Sequence, residues 1–375
     1  MPLPLAAVFA DLPDPRRETA NKRHALTDIL VVATCAVLCG ADTWDDIAEY
    51  GQVKEAFFRR FLPLVNGIPS ADTFGRVFAK LNPTRFAEAF GRWMAAACVG
   101  SGLVPIAIDG KAARSAPANT AAGCLMVVSA WATENRLTLG QMAVPDGANE
   151  IAVLPELLRV LELKGAIVTL DAAGCQTENA KLIREREGHY LLAVKGNQPS
   201  LQAAVEGAFE RACEAEFVGV RHDTHVEIEP KPSHGRHEER SVTVLYQPTG
   251  LPAEWVGATA VVQVCRERVV DGVRTNTTHY YLSSHAGTAA ELAGFIRGHW
   301  GIESMHWVLD VVFREDASRV REKHAGANLA MVRRVAVSLL RRAPGRKKGT
   351  TTPTKRKRAG WDDDFLLQVL QGITG

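Results

Sequence analysis

Three short, mostly apolar runs that each end against a charged residue constrain the fold of this 375-residue chain most strongly. The runs cover residues 104–108, 166–170 and 189–194, and the charged residues that follow them are Asp109, Asp171 and Lys195. Runs of this length are typical of buried strands. A carboxylate at the mouth of an apolar strand is poorly solvated unless a positive group meets it. We therefore expect a metal ion, another cation or a substrate beside Asp109.

The elements around these runs alternate between strand and helix. An antiparallel hairpin is predicted at residues 124–133 and 137–144, and helices at residues 150–163, 177–187 and 198–213. The resulting order is typical of an α/β sheet, and open α/β sheets bind their ligands at the carboxyl ends of the strands. If the first and fourth strands are neighbours, Asp109 and Asp171 converge at one edge of the sheet.

The first 100 residues are predicted to form an all-helical domain, because apolar residues recur there at helical spacing. Helices are indicated at residues 26–41, 44–61, 70–81 and 83–94. A turn at residues 66–69 admits a helix-turn-helix in which Thr73, Arg76 and Lys80 face DNA. A helical bundle that packs against the next domain fits the same pattern equally well.

The chain after residue 216 divides into a β-rich insertion and a helical end. Strands are predicted at residues 241–246, 258–267 and 277–283, with prolines between them. Helical patterns follow at residues 288–313, where the helix either runs through or breaks near residues 298–301, then as an amphipathic helix at 325–342 and a short helix at 361–370. Residues 344–357 are predicted to be a mobile basic linker. The predicted domains are residues 1–100, 101–216, 217–287, 288–342 and 343–375.

Composition and charge favour a soluble protein of the reducing cytoplasm. The seven cysteines include no paired CxxC spacing, which favours free thiols. The most apolar stretch, residues 29–39, is far shorter than the roughly 20 residues that span a bilayer, and residues 1–10 lack the pattern of a signal peptide. Nine Lys or Arg residues and no acid lie between Arg341 and Arg358, so a total net charge of +2 leaves −7 for the rest. Basicity is therefore local.

A third carboxylate is predicted on a helix near the end of the chain. In the segment GHWGIESMHWVLD, Glu303, His306 and Asp310 recur at helical spacing on one side. Together with Asp109 and Asp171, Glu303 makes an oxygen-rich set that suits Mg²⁺ or Mn²⁺. Two such ions about 4 Å apart activate a nucleophilic water or 3′-hydroxyl in phosphodiester transfer. Alternatives are that each acid is an ordinary surface group, or that the two histidines of the segment, His299 and His306, bind zinc with Glu303.

Seven segments of the chain resemble those of the H-repeat-associated transposases of bacterial insertion sequences. They are IAIDGKAARS, VVSAWATENRLTLGQ, IVTLDAAGCQTENAKLI, YLLAVKGNQ, HGRHEER, YYLSS and HWGIESMHWVLDVVFREDASR, within a similarity that runs from Phe9 to Arg342. The resemblance implies a ribonuclease H-like core with a β-rich insertion, preceded by the helical domain. It also implies a DDE active site of Asp109, Asp171 and Glu303 with two Mg²⁺ ions, for which Mn²⁺ substitutes. A dimer on double-stranded DNA, cutting transposon ends and joining the 3′-hydroxyl to target DNA, is implied as well.

One part of the chain departs from better-known relatives, which carry Tyr, Arg, Glu and Lys around the catalytic Glu. The corresponding residues are Ile296, His299, Glu303 and Asp310, so only the Glu is kept. Contacts made elsewhere by the Tyr, Arg and Lys are therefore not transferred. The open alternatives to a transposase are a catalytically inactive, domesticated DNA-binding protein and a metal-dependent nuclease without a joining step.

DNA contacts are predicted for cationic and polar residues near the strand ends, in the insertion and in the tail. They are Lys111, Lys195, Asn197, His234, Arg236, Arg240, His299, His306, Arg319, Lys347, Lys348, Lys355, Arg356, Lys357 and Arg358. A simple turn, a solvated loop or a charged helix end is the structural alternative for each. The run from Arg341 to Arg358 is the clearest candidate for binding the DNA backbone.

Overall fold

The computed structural model describes residues 4–19, 22–98, 102–113, 124–228, 236–270 and 273–371. The chain divides into two compact units. The first unit comprises residues 1–99, 110–153 and 302–375, and the second comprises residues 100–109 and 154–301.

The described residues form a mixed α/β fold. The helices are α1 (Pro4–Val8), α2 (Leu26–Cys39), α3 (Trp44–Val53), α4 (Glu55–Phe58), α5 (Ala71–Lys80), α6 (Pro83–Ala95), α7 (Glu150–Val160), α8 (Thr177–Glu185), α9 (Pro199–Glu214), α10 (Ala289–His299), α11 (Gly301–Val311), α12 (Ala325–Arg342), α13 (Thr352–Trp361) and α14 (Asp363–Gln371). The strands are β1 (Val104–Ala113), β2 (Leu125–Ala132), β3 (Leu137–Ala143), β4 (Ala166–Leu170), β5 (His189–Val194), β6 (His222–Ile228), β7 (Arg236–Tyr246), β8 (Ala260–Val270) and β9 (Val273–Ser283). A short 3-10 helix covers Glu315–Ala317.

Two of the first helices in the first unit begin at capping residues that are recognisable in the sequence. Thr43 and Asp46 form a reciprocal capping box at the start of α3. At α6, the Asn82 side chain accepts a hydrogen bond from the Arg85 N–H at 3.0 Å, and Pro83 occupies the first turn. The predicted start of α6 is therefore confirmed.

Helix α12 lies at the centre of the first unit and is buried on all sides from Ala325 to Leu340. Its polar residues find partners there: the Asn328 amide donates to the carbonyl oxygens of Phe78 and Leu81, at 2.8 and 2.9 Å, at the end of α5. A helix that is buried all round belongs in a core. The prediction of an amphipathic helix is therefore wrong.

The predicted hairpin of the first unit is confirmed as β2 and β3, which pair antiparallel with a register shift between Ala130 and Trp131. The strand order in this unit is β3-β2-β1, where the unit contains the end of β1 from Gly110 to Ala113. Lys111 therefore belongs to the first unit, although it follows Asp109 by only two residues.

The second unit contains a sheet with the strand order β1-β4-β5-β9-β8-β7-β6. Strands β1, β4 and β5 are parallel to each other. The neighbouring pairs β5–β9, β9–β8, β8–β7 and β7–β6 are antiparallel. Helix α10 packs on this sheet, where Leu292 and Ile296 share a core with Val244 and Val262. The predicted strands of the insertion are present, with β6 in addition, whose side chains alternate between exposed and half-buried.

The structure decides two features of the last third of the chain. Near residues 298–301, where a continuous helix and a break were both open, the helix breaks: α10 ends at His299 and α11 begins at Gly301. The mobile linker at residues 344–357 is wrong in its second half, where α13 begins at Thr352. Lys355 of this helix donates to the carbonyl oxygens of Ala343 and Arg341, and its neighbours make the contacts described below.

Across the parts of the chain that the structure describes, no single helix is long and apolar enough to cross a membrane. The pair α2 and α3, bent by 98°, meets that test only jointly, by length and composition.

Candidate active site

Asp109 and Asp171 lie at the same edge of the second unit's sheet. Strands β1 and β4 are parallel neighbours, and the last pair in register is Ile108 with Leu170. Asp109 follows Ile108 within β1, and Asp171 follows Leu170, the last residue of β4. Neighbouring strands lie about 4.8 Å apart. Asp109 is half-buried and Asp171 is exposed. The two carboxylates therefore leave adjacent strands side by side, as the sequence predicts for this arrangement.

The backbone after Asp171 is held by local hydrogen bonds. The Gly174 N–H donates to Oδ1 of Asp171 at 3.0 Å, which closes a turn directly after the strand. The side-chain amide of Asn197 donates to the carbonyl oxygen of Ala172 at 2.6 Å. Asn197, predicted to contact DNA, thus braces the loop that carries Asp171. Lys195 follows β5 with an exposed side chain.

His299 lies against the strand that carries Asp171. Its Nδ1 is 2.8 Å from Oγ1 of Thr169, a hydroxyl that also donates to the carbonyl oxygen of Ile106 on β1 at 3.4 Å. Burial lowers the pKa of His299, and the Asp171 carboxylate only partly opposes this effect. The imidazole is therefore predominantly neutral at pH 7 and does not attract phosphate by a full charge. Thr169 was not singled out by the sequence, although a polar residue inside an apolar strand was a usable signal.

Arg240, in the insertion, belongs to an ion cluster on the sheet. The carboxylate of Glu238 on β7, whose side chain is 7% exposed, lies 2.5 Å from Arg240 and 2.7 Å from Arg266 on β8. Arg240 is therefore already paired within the protein. The backbone of Arg236 pairs with Val270, and the predicted contact of its side chain stays a prediction. His234 lies outside the described residues.

Helix α11, in the first unit, carries Glu303, His306 and Asp310, as predicted. Glu303 is exposed near the start of the helix. Burial lowers the pKa of His306 to about 3, with smaller contributions from the positive charges of Arg334 and Lys111. A neutral, half-buried imidazole brings no positive charge to a phosphate, and the predicted DNA contact of His306 stays a prediction.

Lys111 is buried among acids. Its Nζ lies 2.6 Å from Asp310, 3.1 Å from Asp316 and 3.5 Å from Glu315, and its side chain is 6% exposed. Glu315 is also paired with the fully buried Arg334 at 2.8 Å. The DNA contact of Lys111 stays a prediction, and three carboxylates already surround the ammonium group.

The basic tail divides into cations used by the fold and cations directed outward. Arg356 donates to the carbonyl oxygens of Val37 and Val312, and its guanidinium lies 4.2 Å from the centre of the Phe313 ring. Arg358 pairs with Asp362 at 3.1 Å. The predicted DNA contacts of Lys355, Arg356 and Arg358 stay predictions, and all three groups already have partners within the protein that hold α13 in place.

Among the tail residues predicted to contact DNA, the exposed ones are Lys347, Lys348 and Lys357, which we call the tail lysines. Arg319 is exposed as well, in the loop before α12. The structure gives these four residues the accessibility that a contact with the DNA backbone requires.

The donor chemistry of the aspartate pair fits a hard divalent cation, because Asp109 and Asp171 bring carboxylate oxygens to one sheet edge. Whether three ligands already form a metal site is a separate question. Among the described residues, the structure contains no group of three or more His, Cys, Asp or Glu side chains placed to hold a metal ion. This finding applies to the zinc alternative and to the three-acid magnesium site alike, and both stay hypotheses.

Comparison with known proteins adds a family relation. The description "DDE_Tnp_1-associated" matches residues 6–94, and "Transposase DDE domain" matches residues 100–339. The chain is 36% identical over 365 residues to "H repeat-associated putative transposase YhhI" of Escherichia coli (strain K12), and the alignment covers 95% of each chain. It is 40% identical to "Inactive transposase YbfQ" of the same strain over 57 residues, or 15% of this chain and 68% of that one. A cryo-EM structure of the piggyBac transposase synaptic complex with hairpin DNA aligns with a TM-score of 0.40 at 12% identity, over 96% of this chain and 76% of that chain.

Proposed function

Because this chain belongs to the DDE transposase family, we propose that it cuts DNA at the ends of a transposon and joins the freed 3′-hydroxyl to target DNA. The observation that carries this proposal is the adjacency of Asp109, within β1, and Asp171, directly after the parallel strand β4. The parallel strands β1, β4 and β5 and the β2–β3 hairpin are compatible with a ribonuclease H-like core, which we propose for this chain together with the five-part division predicted from its sequence.

We propose Mg²⁺ as the cofactor, held by Asp109 and Asp171 with Glu303 as the third acid, and Mn²⁺ as a substitute. Such ions would supply an activated oxygen nucleophile and neutralise charge on the phosphate. The protein's own contribution is orientation. The Gly174 N–H fixes one oxygen of Asp171, and Thr169 fixes the ring of His299 on the same strand.

We propose double-stranded DNA as the partner, with the terminal inverted repeats and the target as its two forms. The tail lysines, Lys195 and Arg319 are exposed and would contact the phosphate backbone. The helical N-terminal domain and the β-rich insertion would bind the repeats. Because two ends must be brought together before joining, we propose a homodimer on DNA, acting on the nucleoid in the bacterial cytoplasm.

The proposal is tested on a plasmid that carries the inverted repeats flanking this gene. Incubation with the purified protein and Mg²⁺ is expected to give double-strand ends and integrated products. Asp109→Asn, Asp171→Asn and Glu303→Gln should each lower the cleavage rate by on the order of a hundredfold or more, as does the loss of a positioned catalytic group.

The matched control is Glu178→Gln, which removes an exposed acid on α8 whose ion pair with Arg159 lies on the surface. It should leave the rate unchanged. Cleavage that survives all three active-site substitutions would refute the assignment. Binding of the repeats without cleavage would identify an inactive DNA-binding protein, and cleavage without integration would identify a nuclease.

A further inference from the structure

We propose, resting on the transposase function proposed above, that Lys111 is a positioning residue for the helix that carries Glu303. Lys111 lies two residues after Asp109 in β1, and its ammonium group is bound to the end of α11. Within the first unit, the residue therefore attaches the helix that carries Glu303 to the last residues of β1.

The attachment is a short ion pair in a largely buried place. Nζ of Lys111 lies 2.6 Å from Oδ1 of Asp310, in the last turn of α11, and 3.1 Å from Asp316 in the following 3-10 helix. The Lys111 side chain is 6% exposed, whereas the two aspartates are each 34% exposed. Lys111 thus reaches outward from the core to hold both acids, and with them the C-terminal end of α11.

A second cation holds the other end of the same helix. The guanidinium of Arg341, on α12, donates to both the carbonyl oxygen and the hydroxyl of Ser304 at 3.0 Å. It also lies 5.3 Å from the centre of the Trp131 ring on β2. Helix α11 is therefore attached at Ser304 and at Asp310, with Glu303 directly beside the first attachment.

Geometry makes Glu303 sensitive to Lys111. Glu303 and Asp310 are seven residues apart on one helix, about 10.5 Å along its axis at 1.5 Å per residue. A helix of about three turns moves as a rigid element, so loss of the C-terminal attachment allows α11 to tilt about its buried middle, at Met305 and Val308, and Glu303 at the opposite end is then displaced. A displacement of about 1 Å in a catalytic group can lower a rate about a hundredfold.

The contribution of Lys111 to stability is expected to be small, which separates positioning from folding. Glu315 keeps its partner Arg334 at 2.8 Å when Lys111 is removed. Asp310 and Asp316 are each 34% exposed, although Oδ1 of Asp310 is buried. Removing one partner of a fully buried ion pair costs about 3–5 kcal/mol, and we expect a smaller cost for Lys111→Met because two of its three partners are partly exposed. Lys111→Met should therefore fold.

The experiment compares Lys111→Met with the matched control Lys54→Met in the full-length protein. Lys54 forms an ion pair of similar length, 2.7 Å to Asp363, elsewhere in the first unit. Three quantities are measured: binding of a labelled terminal-repeat duplex without Mg²⁺, the single-turnover cleavage rate with Mg²⁺, and amide hydrogen exchange along α11 without metal.

We expect Lys111→Met to lower the cleavage rate about 10- to 100-fold while duplex binding stays within about twofold. Exchange at the amides of residues 308–311 should accelerate in Lys111→Met. Lys54→Met should change neither the cleavage rate nor the amide exchange. Lys111→Asp combined with Asp310→Lys should recover at least tenfold of the rate lost by Lys111→Asp alone.

Wild-type rates or wild-type exchange in Lys111→Met would overturn the proposal. Global unfolding of this variant would overturn it as well, because the residue would then serve the fold as a whole. Failure of the transposase function is recognised separately, since in that case the wild-type protein does not cut the repeats, or cuts them equally well without Asp109, Asp171 and Glu303.

Discussion

Replacement of Arg334 by methionine tests the ion cluster at the centre of the first unit. Arg334 is fully buried, and its guanidinium donates to the carboxylate of Glu315 and to the hydroxyl of Ser129, both at 2.8 Å. Methionine keeps much of the side-chain length and apolar contact of arginine, and it removes the charge and the donors. The change therefore isolates the polar role of the guanidinium.

The expected cost follows from what remains around Glu315. This carboxylate is 4% exposed, and without Arg334 it has Lys111 at 3.5 Å, at the long end of the range for an ion pair. Breaking a buried ion pair by removing one partner costs about 3–5 kcal/mol. At about 2–4 °C per kcal/mol for a domain of 150–250 residues, the melting temperature should fall by roughly 6–20 °C.

The assay is urea unfolding followed by circular dichroism and by tryptophan fluorescence, with coincidence of the two curves as the check on two-state behaviour. Arg297→Met is the control. Arg297 is 54% exposed and pairs with Glu227 on the surface, so its loss should cost less than about 1 kcal/mol. The double variant Arg334→Met with Glu315→Leu should be more stable than Arg334→Met alone. The reason is that the buried carboxylate of Glu315, which loses its partner Arg334, is then removed as well.

Equal costs for Arg334→Met and Arg297→Met would refute this account of the cluster. So would a double variant that is less stable than Arg334→Met. Either result would mean that Glu315 is adequately compensated by Lys111, or by water, without the guanidinium.

Three further predictions concern the sheet edge, the tail and α11. Thr169→Val removes the hydroxyl beside His299 and should lower the Mg²⁺-dependent cleavage rate severalfold, whereas Thr177→Val, on α8, should not; an unchanged rate in Thr169→Val would exclude a positioning role for this hydroxyl. Replacing the three tail lysines by glutamine should reduce the slope of log affinity against log salt for DNA by about 2.7, at about 0.9 per phosphate contact, and an unchanged slope would remove them from the interface. His306 has a folded-state pKa of about 3 against an ordinary value of 6.5, so the stability associated with its neutral form is complete above pH 6.5 and is lost as the pH falls towards 3. His306→Leu should therefore flatten the dependence of unfolding free energy on pH in that window, by at most about 1.4 kcal/mol per pH unit. A variant as acid-sensitive as the wild type would contradict the shift in the pKa of His306.

Local patterns determined much of this protein from sequence alone. An apolar strand followed by an acid is recognisable without a partner, so the end of β4 before Asp171 was predictable, whereas β1 continues beyond Asp109 to Ala113. The start of α6 at Asn82 was predictable in the same way. Caps, breaks and periodicity depend on residues within one or two turns, and a sequence displays those neighbours directly.

Tertiary structure alone decided what the cations do. Lys111 and Asp310 are 199 positions apart in sequence, and nothing near Lys111 in the chain indicates that it meets acids instead of a phosphate. Arg356 looks like the centre of a DNA-binding run, yet it closes the ends of distant backbone segments at Val37 and Val312. A basic residue is compatible with nucleic acid, with a carboxylate and with a carbonyl oxygen alike, because all three accept hydrogen bonds from a positive donor. Which of them it meets depends on the elements packed opposite it, and packing is set by the whole chain.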